Sequence, residues 1–222
     1  MQAYLAAEDR TFFSHGGVDY PGIVSALITN LTRSGRPVGA STITQQVAKN
    51  LLLDNELSYR RKVREAILAY RIEDALSKEQ ILELYLNQIF LGRNAYGVQA
   101  AARAYFDKDV EQLTLPEMAY LAILPKAPSN YSPERNAERA LSRRNWVLGE
   151  MRRNGFIDEG QYRAAVAAPL GTVPRQGTRF ESSAGYFLEE VRRELIDRFG
   201  EDAEAGPHSL YAGGLWVRTS LD

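Results

Sequence analysis

Apolar and polar positions along the chain alternate mostly at helical intervals. From Ser41 onward Ile43, Val47 and Leu51 recur at four-residue steps, while Thr42, Gln45, Gln46 and Lys49 gather on the opposite face, the period of an amphipathic helix. Residues 59–76 carry apolar side chains nearly all round, which predicts a long buried helix. Ser77 with Gln80 fits a capping box and opens the next helix over 81–90. Thr114 with Glu117 starts another that ends near Pro125. Asp158 with Gln161 caps a short one, and 186–199 is a last amphipathic helix stopped by Gly200. Loops are predicted at 32–39, 92–97, 125–133 and 169–179, where glycine and proline concentrate. Strand-like alternation follows Gly213-Gly214 over 215–222 and nowhere else. The class is mainly α.

Composition narrows the chemistry. With 222 residues, 45% hydrophobic and 25% charged, the chain is an ordinary globule long enough to bury a core. The absence of cysteine excludes disulfides, iron–sulfur clusters and thiol nucleophiles, and two histidines, His15 and His208, are too few for a multi-histidine metal cage. A net charge of −1 gives no global field for nucleic acid. The local balance differs: from Arg33 to Arg64 seven basic residues stand against two acidic ones. That is either a solvated basic face or a patch for an anionic substrate, with phosphate the first guess. No window reaches the roughly 18 apolar residues of a membrane span. A terminal strand with no partner suggests that both ends are cuts in a longer protein.

Four segments carry candidate chemistry. Glu8-Asp9 is followed by Phe12, Phe13, His15 and a diglycine. Adjacent acids repel and apolar neighbours desolvate, so one could hold a proton near neutral pH; the alternative is an acidic helix end with Phe12 and Phe13 in the core. Glu65 shares a helix face with Leu68, Ala69 and Ile72, and is either catalytic or one half of a buried pair with Arg61. The run Gly39-Ala40-Ser41-Thr42-Ile43-Thr44-Gln45-Gln46 puts hydroxyls at a helix N-terminus, which suits an anion or else merely caps a surface helix. Residues 18–31 are unusually apolar, either as core or as an exposed patch that dips into a bilayer.

Taken together, these segments resemble the peptidoglycan glycosyltransferase (transglycosylase) domain of class A penicillin-binding proteins. Glu8-Asp9-Arg10 with Phe13, His15 and Gly17 is similar to the first motif of that family, and Gly39 with 41–46 and Lys49-Asn50 to the second. Arg61-Lys62 with Glu65 is similar to the third, Lys78 with Ile81-Leu82 and Tyr85-Leu86-Asn87 to the fourth, and Arg143 with Val147-Leu148 to the fifth. The likeness covers about 2–155 and continues more loosely into 186–222.

The resemblance implies a lysozyme-like, two-lobed helical domain over 1–170, with 171–222 starting a linker, including a short strand, toward a transpeptidase domain. It implies polymerisation of lipid II onto a growing glycan, with inversion and release of undecaprenyl diphosphate. Glu8 and Glu65 would be the catalytic carboxylates, with Asp9, Phe13, His15, Arg36, Ser41, Thr42, Gln45, Gln46, Lys49, Arg61 and Asn87 on the substrate. A divalent cation, Mg2+ or Mn2+, is implied at the diphosphate through Glu65, with no organic cofactor. Implied partners are lipid II, the glycan chain, moenomycin-type inhibitors and the membrane surface through 18–31, with no nucleic acid. The expected place is the outer face of the bacterial cytoplasmic membrane, held by an N-terminal transmembrane helix beyond this sequence. The Ser-x-x-Lys, Ser-x-Asn and Lys-Thr-Gly signals of a penicillin-reactive centre are absent, so no covalent β-lactam adduct is expected. Two other readings stay open from sequence: a lysozyme-like hydrolase, which would release muropeptides from peptidoglycan, and a catalytically silent scaffold, which would not bind moenomycin tightly.

Overall fold

The computed structural model describes residues 1–32, 39–52, 59–174 and 182–200. Among them are ten α-helices, three short 3-10 turns and one isolated antiparallel bridge, Phe90 with Tyr96. The mainly α expectation holds. The predicted strand at 215–222 and most of the 32–39 loop, Arg36 included, lie outside the described residues. The chain divides into two compact units, Met1–Arg175 and Gln176–Asp222. The second contains the amphipathic helix Ser182–Phe199, which stops at Gly200 with φ of 77°.

The first unit holds the core. Its helices are α1 (Gln2–Glu8), α2 (Tyr20–Thr32), α3 (Ile43–Leu52), α4 (Tyr59–Ala75), α5 (Lys78–Gln88), α6 (Val98–Phe106), α7 (Leu115–Leu121), α8 (Pro133–Arg153) and α9 (Glu159–Ala167). Helix α3 packs on α4 and α5, while α8 receives α1, α7 and α9. The capping boxes read from sequence at Ser77–Gln80, Thr114–Glu117 and Asp158–Gln161 all form. Each satisfies two otherwise orphaned backbone N–H groups and fixes where its helix starts.

Helix α8, the longest of these, has no clear sequence signature. Its buried residues Ala140, Arg144, Val147, Leu148 and Met151 follow a helical spacing, but charged residues crowd the rest and Asn136 breaks the geometry with φ −140° and ψ 46°. Arg144 is fully buried. It donates to the carbonyls of Pro169 at 2.9 Å and Val166 at 3.1 Å, tying α8 to the end of α9. Burial lowers its pKa, and the two carbonyls satisfy donors that would otherwise be costly to bury.

Two helix faces differ from expectation. Helix α4 is not buried all round: Glu65 and Ala69 are inside, but Val63 and Ile67 are 60% and 50% exposed. Its apolar residues are distributed around the axis because one side packs on α3 and the other faces out. Helix α3 is reversed in the opposite sense. Thr42, Thr44 and Gln45 are buried with Ile43 and Val47, so the polar stripe points largely inward and is consumed by internal hydrogen bonds. Residues 18–31 resolve the other way. Val18 joins the core, but no residue of α2 is buried, and Leu27, Ile28 and Leu31 are 58, 56 and 78% exposed.

Candidate active site

Helix α1 ends at Glu8, and Asp9 leaves it with φ −156° and ψ 81°. That turn sends the two neighbouring carboxylates to different partners. Asp9 Oδ2 accepts the Ile43 N–H at 2.9 Å, at the start of α3, and both Asp9 oxygens face His15 Nε2 at 3.0 and 3.1 Å. His15 Nδ1 accepts the Gly17 N–H. An acceptor at Nδ1 puts the ring proton on Nε2, where it donates to Asp9. The α3 N-terminus therefore does hold an anion, but the anion is Asp9. Thr42 and Gln45 complete it reciprocally: Thr42 Oγ1 accepts Gln45 N–H at 3.1 Å and Gln45 Oε1 accepts Thr42 N–H at 3.0 Å. Thr42 Oγ1 also donates to the Gly17 carbonyl at 2.6 Å. These contacts tie Asp9, His15, Thr42 and Gln45 into one internal hydrogen-bonded framework.

Glu8 has the environment of a base. Gln46 Nε2 donates to its Oε2 at 3.0 Å, and Gln46 Oε1 faces the Tyr85 hydroxyl at 3.4 Å. Burial pushes the Glu8 carboxyl up. The Gln46 amide and then the Arg143 and Lys126 charges pull it back, and Asp9 adds to the rise. Tyr4, one turn earlier on α1, is buried with no partner for its hydroxyl, and burial and the Glu8 charge raise its pKa. Lys126 and Arg143 carry no site role in the sequence reading. Lys126 sits in a proline-flanked turn with no periodic signal, and Arg143 is recognisable only as part of a motif.

A cavity of about 250 Å³ opens beside Glu8, lined also by Asp9, Asp19, Ser25, Ser41 and Thr42. Ser41 links it to the basic segment, because its Oγ accepts Lys62 Nζ at 2.8 Å. Lys62 in turn forms a short ion pair with the buried Glu65. Arg61, the partner expected from sequence, stands farther off at 3.9 Å. From sequence Lys62 was one charge in a basic run and part of the third motif, without a site role; its i,i+3 spacing to Glu65 is the signal that identifies it as the partner. Lys49 is exposed on α3, Asn87 is exposed on α5, and Phe13 is 54% exposed whereas Phe12 is core. Phe13, Lys49 and Asn87 do not line this cavity.

The side chains present do not fit a protein-held divalent ion at Glu65. An ammonium already occupies that carboxylate, and no group of three metal-binding side chains assembles among the described residues. A second cavity, about 390 Å³, lies between the Phe90–Tyr96 bridge and the start of α8, lined by Phe90, Arg93, Tyr105, Ser129, Ser132 and Glu134. Arg93 crosses it, stacked 4.4 Å over the Tyr105 ring and paired with Glu134.

Residues 1–152 match the transglycosylase family, and the chain belongs to it. It is a transglycosylase domain, with the mainly α fold expected from sequence. Over its full length it is 48% identical to penicillin-binding protein 1A of Rickettsia felis, 48% to that of Haemophilus influenzae and 47% to that of Aquifex aeolicus. It spans 28, 25 and 29% of those proteins. A crystal structure of the Haemophilus influenzae protein aligns with 72% of this chain and 20% of that one, at 36% identity and TM-score 0.48.

Proposed function

We propose that this domain polymerises lipid II into β-1,4-linked glycan. The acceptor's 4-hydroxyl oxygen attacks the donor's anomeric carbon, the carbon–diphosphate bond breaks, and the hydroxyl proton passes to Glu8. One displacement inverts the anomeric centre. The leaving diphosphate needs positive charge in the transition state. Lys62 is at hand beside Ser41, with Arg61, Lys49 and Arg36 as further cations. Glu65 holds Lys62 in place and offers no metal cage. A Mg2+ or Mn2+ ion would enter as the diphosphate's own counter-ion and would supply positive charge to the leaving group. The larger cavity, with an aromatic face and several hydroxyl and charged groups, suits the saccharide of the growing strand.

One observation carries this reading. Ser41 lines the cavity that contains Glu8 and accepts from the lysine paired with Glu65, so Lys62 and Glu65 adjoin the acid's cavity despite their separation in sequence, which supports a shared site. The exposed apolar face of α2 supports contact with the bilayer that carries the lipid substrate. It fits a place on the outer face of the cytoplasmic membrane with an N-terminal transmembrane anchor; no helix among the described residues is itself long and apolar enough to cross. Residues 1–170 would be the catalytic domain and 171–222 the beginning of a connection to a transpeptidase domain.

The test is polymerisation of labelled lipid II with and without moenomycin. Glycan should form and the inhibitor should stop it. Glu8→Gln should fold normally and lose at least about 10²-fold in rate, the low end for removing a general base. Polymer made at the wild-type rate by that variant would remove Glu8 from the mechanism.

A further inference from the structure

We propose that Asp19 is a positioning residue, whose carboxylate ties helix α2 to the segment carrying Glu8 and so sets the cavity wall. Its two oxygens do separate work. Oδ1 accepts the Gly22 N–H at 2.9 Å, and the Asp19 carbonyl accepts Ile23 N–H at 3.0 Å, which makes Asp19 the N-cap of α2. Oδ2 accepts the Thr11 hydroxyl at 2.9 Å, three residues beyond Glu8. Thr11, Asp19, Gly22, Ser25, Ala26 and Thr29 all line the cavity that contains Glu8.

The tie matters because α2 has no buried face. None of its thirteen residues is buried, so hydrophobic packing does not fix its angle. Its other side-chain link to the body among the described hydrogen bonds is the 2.7 Å contact between the Tyr20 and Tyr70 hydroxyls, also at its first turn. Both of these links act at the first turn of α2. Gly22 belongs to the same device. A Cβ at that position would lie 2.8 Å from the Asp19 carboxyl carbon, closer than non-bonded carbons approach, so the carboxylate folds over a backbone that must be bare.

Hydrogen exchange of the full chain, read by mass spectrometry, reports on α2 without any substrate. Thr11→Val removes the tie and leaves the cap. Asp19→Ala removes both, and Gly22→Ala displaces the same carboxylate by another route. Asp19→Asn keeps an oxygen for Gly22 and an amide that reaches Thr11. The expected result is about tenfold faster exchange over residues 20–32 in T11V, the scale of one lost hydrogen bond to a charged group. D19A and G22A should do at least as much, D19N clearly less, with α4 and α8 still protected in each. The kinetic counterpart rests on the polymerase reading above: KM for the lipid-linked substrate should rise more than kcat falls. Wild-type exchange of α2 in T11V, equal loosening of α4 and α8, or a fall confined to kcat would each overturn the proposal. Loosened α2 in a chain whose wild-type form makes no polymer would support the tie and sink the polymerase reading instead.

Discussion

At Asp9 the backbone leaves α1, and the environments of two adjacent carboxylates diverge from that point. Glu8 is pushed toward its protonated form by burial, and Asp19 is held below its ordinary range first by the Gly22 N–H. The consequences for pH run in opposite directions. The base role proposed for Glu8 requires its charged form, so the acid limb of the rate profile should lie above the usual carboxylate range of about 4.3, as initial rates across a pH series would show. The fold binds the Glu8 proton more tightly than the unfolded chain does. Its stabilising contribution is therefore complete below the unfolded pKa and is lost as pH rises through the folded value. Glu8→Gln should gain melting temperature on the wild type as pH rises through that window. For Asp19 the contribution is present above its unfolded pKa and is lost as pH falls through the depressed one. Asp9→Ala, which strands Ile43 N–H and His15, should cost about 2 kcal/mol and lower Tm by about 4–8 °C in a chain of this size, measured by calorimetry. The types of residue at this site were readable from sequence. Their division of labour was not, because it depends on one φ angle and on Asp9 rather than a ligand reaching the α3 N-terminus.

Among the elements, those with a reciprocal cap were legible, since Ser77, Thr114 and Asp158 each announce a helix within four residues. Helices α1, α2, α6 and α8 were not identified. Helix α1 is seven residues long, too short for a period to show, and α8 hides its buried stripe among arginines and glutamates. Helix α2 is apolar without being core, so hydrophobicity alone could not separate the two readings. Its Asp-x-Pro-Gly start was the available signal. Exposure now gives a sharp test. Leu27→Glu with Ile28→Glu should leave Tm within about 4 °C, because exposed substitutions seldom exceed about 0.5 kcal/mol each. The same pair should abolish the co-flotation with liposomes expected of the wild-type chain.

For the molecule as a whole, the division after Arg175 has a direct consequence. The core cluster is drawn from residues between Ala3 and Leu170, all in the first unit. A fragment ending at Arg175 should therefore melt in one cooperative transition in scanning calorimetry, as a unit with its own core does. A broad, non-cooperative melt would show that the remaining 47 residues are needed for the fold.

Gly17 sits with φ of 96°, and a Cβ there would lie 3.0 Å from the main-chain carbon and oxygen of Ala69 on α4. Bare chain thus meets bare chain, one helical turn from Glu65 and two residues from His15. Apart from the Glu73 side chain, 3.2 Å from the same point, backbone packs directly on backbone at that joint, which couples the stretch bearing Glu8 to the helix bearing Glu65. Whatever play the groove has in admitting so bulky a donor and acceptor must come from its opposite bank.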